Sequence, residues 1–147
     1  MNQTNHDSGG IVCATRGGEG SEPTVEHAIA LAQERGLPLT FLYIADLEFM
    51  RHTTTGDISL AAAELRKMGE FIMMTLVEQA QAEGVEADFA VRVGRLEDQL
   101  LRYLVETRAA MLILGCPQPD TCLLEPTILS RLAQRVEEQT GTQVEML

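Results

Sequence analysis

Stretches of unbroken apolar residues alternate along this chain with stretches whose apolar residues recur every three or four positions. The run Ile11-Val12-Cys13-Ala14 shows no alternation, as expected of a strand covered on both faces. A glycine-rich turn follows, Arg16-Gly17-Gly18-Glu19-Gly20, then Ser21 as a helix N-cap and Pro23 in the first helical turn. Val25, Ala28, Ile29 and Ala32 form one helical stripe, which Gly36 stops.

The same alternation continues. Leu39 to Ile44 reads as a second buried strand, rich in aromatic and branched residues. A polar stretch from Asp46 to Asp57 leads into a long helix from about Ser59 to Ala82, closed by Gly84. Leu65, Met68, Ile72 and Leu76 are its expected inner stripe. Ala87 to Val93 is a third strand, and Leu96, Leu100, Tyr103 and Leu104 line the next helix. Met111 to Leu114 is a fourth strand ending at Gly115. A loop then leads to a last helix with Leu129, Leu132, Ala133 and Val136 on one side. Thr142 to Leu147 reads as a short fifth strand whose Val144 and Met146 share a face. Strands alternating with helices imply parallel βαβ units with right-handed crossovers, an α/β three-layer sandwich. In such a sheet a ligand binds beyond the carboxyl ends of the strands, where strand order reverses. The loops after the first and fourth strands are therefore the ones to inspect.

At 147 residues the chain is the size of one domain. Residues 1–9 are read as a disordered polar tail and 10–147 as the domain. Acidic residues outnumber basic ones 22 to 11, a formal charge of −11, which argues against nucleic acid and against anionic membrane surfaces as partners. The polar opening MNQTNHDSGG has no apolar core of a signal peptide, and no apolar stretch reaches the roughly 20 residues of a membrane span. Three cysteines, Cys13, Cys116 and Cys122, make an odd number, so a reduced cytoplasmic protein is expected rather than a disulfide scaffold. A redox pair of Cys116 with Cys122 is the alternative.

From Gly10 onward the chain resembles the universal stress protein family. IVCATRGGEGSEPTVEHAIALAQERGLPLTFLYI looks like that family's first strand, loop, helix and second strand, and VRVGRLEDQLLRYLVETRAAMLILG its third strand, third helix and fourth strand. SRLAQRVEEQ is similar to its last helix. The resemblance implies a Rossmann-like five-stranded parallel sheet in the order 3-2-1-4-5. It also implies homodimers, often through the last strand, and a role in stress survival or regulation.

ATP-binding members of that family resemble one another at two places, and both are altered here. Where an Asp usually follows the Ala-Thr of strand one, this chain has Ala14-Thr15-Arg16-Gly17, which puts a guanidinium in place of a carboxylate. The phosphate loop, of the form Gly-x2-Gly-x9-Gly-Ser/Thr, begins at Gly115-Cys116, but Gln118 stands at its second glycine between Pro117 and Pro119. Ser130 and Arg131 occupy the place of its final pair. Glycines let successive backbone N–H groups converge on phosphate oxygens, and each proline deletes one donor. The ligand-binding positions carried over are thus Ala14, Thr15, Arg16, Gly17, Gly115, Cys116, Ser130 and Arg131, with a degenerate nucleotide site and no cofactor expected. The function expected is a stress-response or regulatory protein that binds rather than catalyses. A protein that keeps ATP or another adenine nucleotide in the cleft is one alternative, and a dimeric interaction module another.

Other candidates weigh less. Arg16 could hold a small anionic ligand with help from a helix N-terminus, or simply pair with Glu19. Arg51 to Thr55 reads as a solvated loop with the alternative of a lid over the cleft. His27 has no histidine or cysteine at ligand spacing and reads as structural, and His6 falls in the tail. Met68, Met73 and Met74 read as filling core gaps or a dimer contact, with an adaptable binding surface as the alternative. Glu97 and Asp98 suit the start of the third helix. No nucleophile–base set, metal-ligand spacing or Walker pattern is present, so no catalytic residue and no metal is expected.

Overall fold

The apolar runs and stripes assemble into one doubly wound sheet. A computed structural model describes residues 10–15, 22–45, 58–114 and 126–146. Its elements run β1 (Ile11–Ala14), α1 (Glu22–Arg35), β2 (Leu39–Ala45), α2 (Ile58–Ala82), β3 (Ala87–Val93), α3 (Leu96–Thr107), β4 (Met111–Leu114), α4 (Pro126–Thr140) and β5 (Gln143–Met146). The sheet is five-stranded and parallel in the order β3-β2-β1-β4-β5. The expected fold class and strand order are both met.

Each face of the sheet has its own core. Ile11 and Cys13 of β1, Phe41 and Tyr43 of β2, and Met111 and Ile113 of β4 pack with α1 and α2. The alternate residues Val12, Leu42, Leu112 and Leu114 pack with Leu100 and Leu104 of α3 and Leu132 and Val136 of α4. Strand residues of both sets are nearly inaccessible, which is why the runs in β1 and β4 show no polar alternation. Val144 of β5 joins the second core, as its strand pattern predicts.

The helix ends follow the expected chemistry in part. Gly36 and Gly84 adopt φ of 65° and 84° after α1 and α2, the left-handed region that glycine enters without a Cβ penalty. After α3 the same conformation falls to a non-glycine, Arg108, at φ 53°. Gly10 ties the sheet's entry together, since its carbonyl accepts from Ala110 N–H at 2.9 Å and from Met111 N–H at 3.3 Å. Thr142 closes the far side by donating its hydroxyl to the Ala109 carbonyl at 2.9 Å.

One expectation is corrected. Met68 does not line the inner face of α2; it is 56% exposed. The inner face is rotated to Gly69, Met73 and Ala80, all buried, with Ile72, Leu76 and Val77 partly buried at the margin. The cause is Gly69, where the absent side chain lets the helix settle on the Tyr43 ring, a position no hydrophobic stripe reveals. Of the three methionines read as core or dimer contact, only Met73 is core; Met74 is 50% exposed. The side chains of Leu65 and Leu129, the tail 1–9, Ser21 and the stretch 46–57 lie outside the described residues.

Candidate functional site at the carboxyl ends of strands one and four

Parallel strands joined by right-handed crossovers place every connection from strand to helix at one edge of the sheet. The chain winds from β1 outward to β2 and β3, then returns to β4 and β5 on the other side of β1. Strand order therefore reverses between β1 and β4, which run side by side with Ile11 opposite Met111 and Ala14 opposite Leu114. The helices after β1 and β4 lie on opposite faces, and the switch-point rule assigns a ligand to the end of the sheet beyond Ala14 and Leu114.

Of the eight positions carried over from the resemblance, four are described. Ala14 and Thr15 stand at this end of the sheet, both half-buried. The Thr15 N–H donates to the Leu42 carbonyl at 3.1 Å, which holds the exit of β1 against β2. Ser130 and Arg131 are exposed on α4. They lie in its second turn, about 6 Å along the axis from Pro126. Arg16, Gly17, Gly115 and Cys116 lie outside the described residues, as do Pro117, Gln118, Pro119, Cys122 and the Arg51–Thr55 stretch.

The start of α4 decides which backbone donors this end can offer. The first four N–H groups of a helix have no intrahelical partner. Pro126 has no N–H, so within the helix the free groups are those of Thr127 and Ile128. The amides of Ser130 and Arg131 come after them and are engaged inside the helix, leaving only their side chains for a ligand. At α1, whose N-terminus faces the same edge, the first turn carries Glu22, a charge that opposes a bound anion.

Three groups of interacting residues were not visible in the sequence as groups. His27 on α1 meets the Glu145 carboxylate of β5 through its Nε2, across 118 positions. The expected structural role of His27 thus acquires a partner, and the charge at position 145 a use. On the other face, Arg92 of β3 sits with its guanidinium 5.1 Å from the centre of the Tyr103 ring and donates to Glu106 at 3.1 Å. Burial pushes the Tyr103 phenol up, against its hydrogen bond with Thr40 and the nearby Arg92 charge. Glu97, beyond its place in the first turn of α3, pairs with Arg135 and so ties α3 to α4. Only the alternation of strand faces could have suggested Thr40 and Arg92 as neighbours, because both point to the side of α3.

The remaining chemistry is quiet. Cys13 is a free thiol buried in the first core, where desolvation pushes it up to about 12, so it stays protonated and unreactive at neutral pH. Among the described residues no group of three His, Cys, Asp or Glu side chains is placed to hold a metal ion. No helix among them is long and apolar enough to cross a membrane.

Comparison with known proteins fits this architecture. The family model described as the universal stress protein family matches residues 9–137. No curated protein matches the chain. Among solved structures, a universal stress protein family member from Burkholderia pseudomallei is 17% identical, with a TM-score of 0.68, over 95% of this chain and 96% of that one. A universal stress protein solved in complex with cAMP is 20% identical, with a TM-score of 0.64, over 93% and 94%. One from Archaeoglobus fulgidus in complex with dAMP is 17% identical, with a TM-score of 0.56, over 94% and 96%. At these identities the likeness is one of fold.

Proposed function

The chain belongs to the universal stress protein family, and from that premise we propose that it serves stress response or regulation by binding rather than by catalysis. The binding site is the end of the sheet beyond Ala14 and Leu114, and it does not hold ATP through the family's glycine loop. The observation that carries this reading is the position of Ser130 and Arg131. A loop that closes on a triphosphate needs free amides where those residues fall, and a helix that begins at Pro126 has already engaged theirs. Pro117, Gln118 and Pro119 in the preceding loop remove further donors.

In place of the usual carboxylate after Ala14-Thr15, Arg16 offers a fork of N–H donors suited to a carboxylate or a single phosphate. The ligand proposed is therefore a small anion-bearing molecule. The experiment is a thermal-shift screen of nucleoside monophosphates and small carboxylates against the protein and its Arg16→Ala variant. A ligand that raises the melting temperature of the first and not of the second supports the role of Arg16. Equal shifts in both remove it.

A second reading has one specific observation behind it. Two similar structures were solved with adenine nucleotides that carry a single phosphate, cAMP and dAMP. Such a ligand asks less of the phosphate loop than ATP does, so an adenine mononucleotide is the first compound to include in the screen.

A further inference from the structure

Among the described residues, the outer face of α2 carries three exposed large apolar side chains. Phe71 is 72% exposed, Met68 56% and Met74 50%, all within two turns and pointing away from the side that packs on β2 and β3. Glu64 and Lys67 flank this patch toward the helix start, and Glu78 toward its end, each exposed. Exposed aromatic and methionine side chains grouped in this way mark an interaction surface rather than scattered surface residues.

From the order of charges on this face we infer that α2 pairs with α2 of a second copy of this chain, antiparallel and about a two-fold axis between Ile72 and Met73. In that register Phe71 packs on the partner's Met74, Lys67 meets the partner's Glu78, and Glu64 meets the partner's Gln81; the two-fold axis makes each contact twice. No like charges oppose one another. A parallel pair would set Lys67 against Lys67 and Glu78 against Glu78, and an axis shifted to Phe71 would set Glu64 against Glu78. The helix itself carries three acidic and two basic residues, so the charge of −11 on the whole chain is largely elsewhere. Antiparallel pairing also aligns the two helix dipoles favourably.

Three apolar side chains per copy bury well under the roughly 800 Å² per partner of a standard interface, so the contact is weak and depends on concentration. It also lies on the β3 side of the sheet, away from β5 at the opposite edge. It goes beyond the proposed ligand site and is independent of it, because no residue of that site takes part.

The test is light scattering and sedimentation of the full chain up to about 1 mM, with Phe71→Glu, Lys67→Glu, Glu78→Lys and the double swap Lys67→Glu/Glu78→Lys. All three positions are exposed, so the variants keep the fold, which circular dichroism verifies. The expected result is an association step, distinct from any pairing through β5, that Phe71→Glu abolishes, each single swap weakens by about tenfold, and the double swap restores. A step that is unchanged in Phe71→Glu, no association at all up to that concentration, or a double swap that fails to restore would each overturn the pairing.

Discussion

Gly69 lies flat against the ring of Tyr43: a Cβ at position 69 would stand 2.7 Å from the Tyr43 Cδ1 and 3.0 Å from Cε1. This approach sets the rotation of α2 and therefore decides which of its apolar residues enter the core. Gly69→Ala must displace a ring that is itself 6% exposed, so overpacking should cost about 1–3 kcal/mol. Urea unfolding measures it. A variant as stable as the parent would mean that the helix does not rest on Tyr43.

The same rotation separates two methionines five positions apart. Met73 is fully buried among the strand residues of the first core, and Met73→Ala should lose about 2–5 kcal/mol. Met68→Ala, on the outer face, should change stability by no more than about 0.5 kcal/mol in dilute solution. Equal losses would restore the stripe expected from the sequence and contradict the observed face.

The pair of His27 and Glu145 fastens an edge strand to a helix on the first face. Both side chains are more than a third exposed, so removing the pair should cost less than about 1 kcal/mol of global stability. Its effect should instead be local. Glu145→Gln should speed amide exchange in β5 severalfold while leaving β1 and β4 unaltered, as hydrogen exchange with mass readout would show. Unchanged exchange in β5 would deprive the pair of any fastening role.

Cys13 gives a pH dependence with a definite sign. In the unfolded chain its thiol ionises near the ordinary 9.0, whereas burial holds it up to about 12 in the folded state. Below pH 9 both states keep the proton and the full stability is present. Between pH 9 and 12 only the folded state keeps it, so stability falls as pH rises. Cys13→Ala should flatten that alkaline decline, compared by thermal melts at pH 8 and pH 10.5. Site-resolved alkylation should likewise find Cys13 unmodified until the protein unfolds. A decline as steep in the alanine variant would assign the alkaline loss to other groups.

Much of the architecture was legible because it depends on local pattern. The bare apolar runs at 11–14 and 111–114 announced strands covered on both faces, and Gly36 and Gly84 marked two helix ends by conformational need. What escaped depends on contacts distant in sequence. A stripe at helical spacing gave the side of α2 to within a residue, yet the Gly69–Tyr43 approach turned it past Met68. The end of α3 was invisible because Arg108, not glycine, takes the left-handed position. Nothing in either local segment announced that His27 would meet Glu145. At the candidate site, Ala14 and Thr15 fall where a switch-point argument puts a ligand, since β1 could be found and its order beside β4 followed from the resemblance. Ser130 and Arg131 could be aligned but not oriented, because the start of α4 at Pro126 was not evident from the apolar positions further along it.

On the proposed reading this family member binds its ligand without the glycine loop that holds a triphosphate. Calorimetric titration of the full chain with ATP and Mg²⁺ tests it most directly. No heat of a specific site is expected up to about 1 mM nucleotide. Saturable binding with a Kd of about 10 µM or below would contradict it.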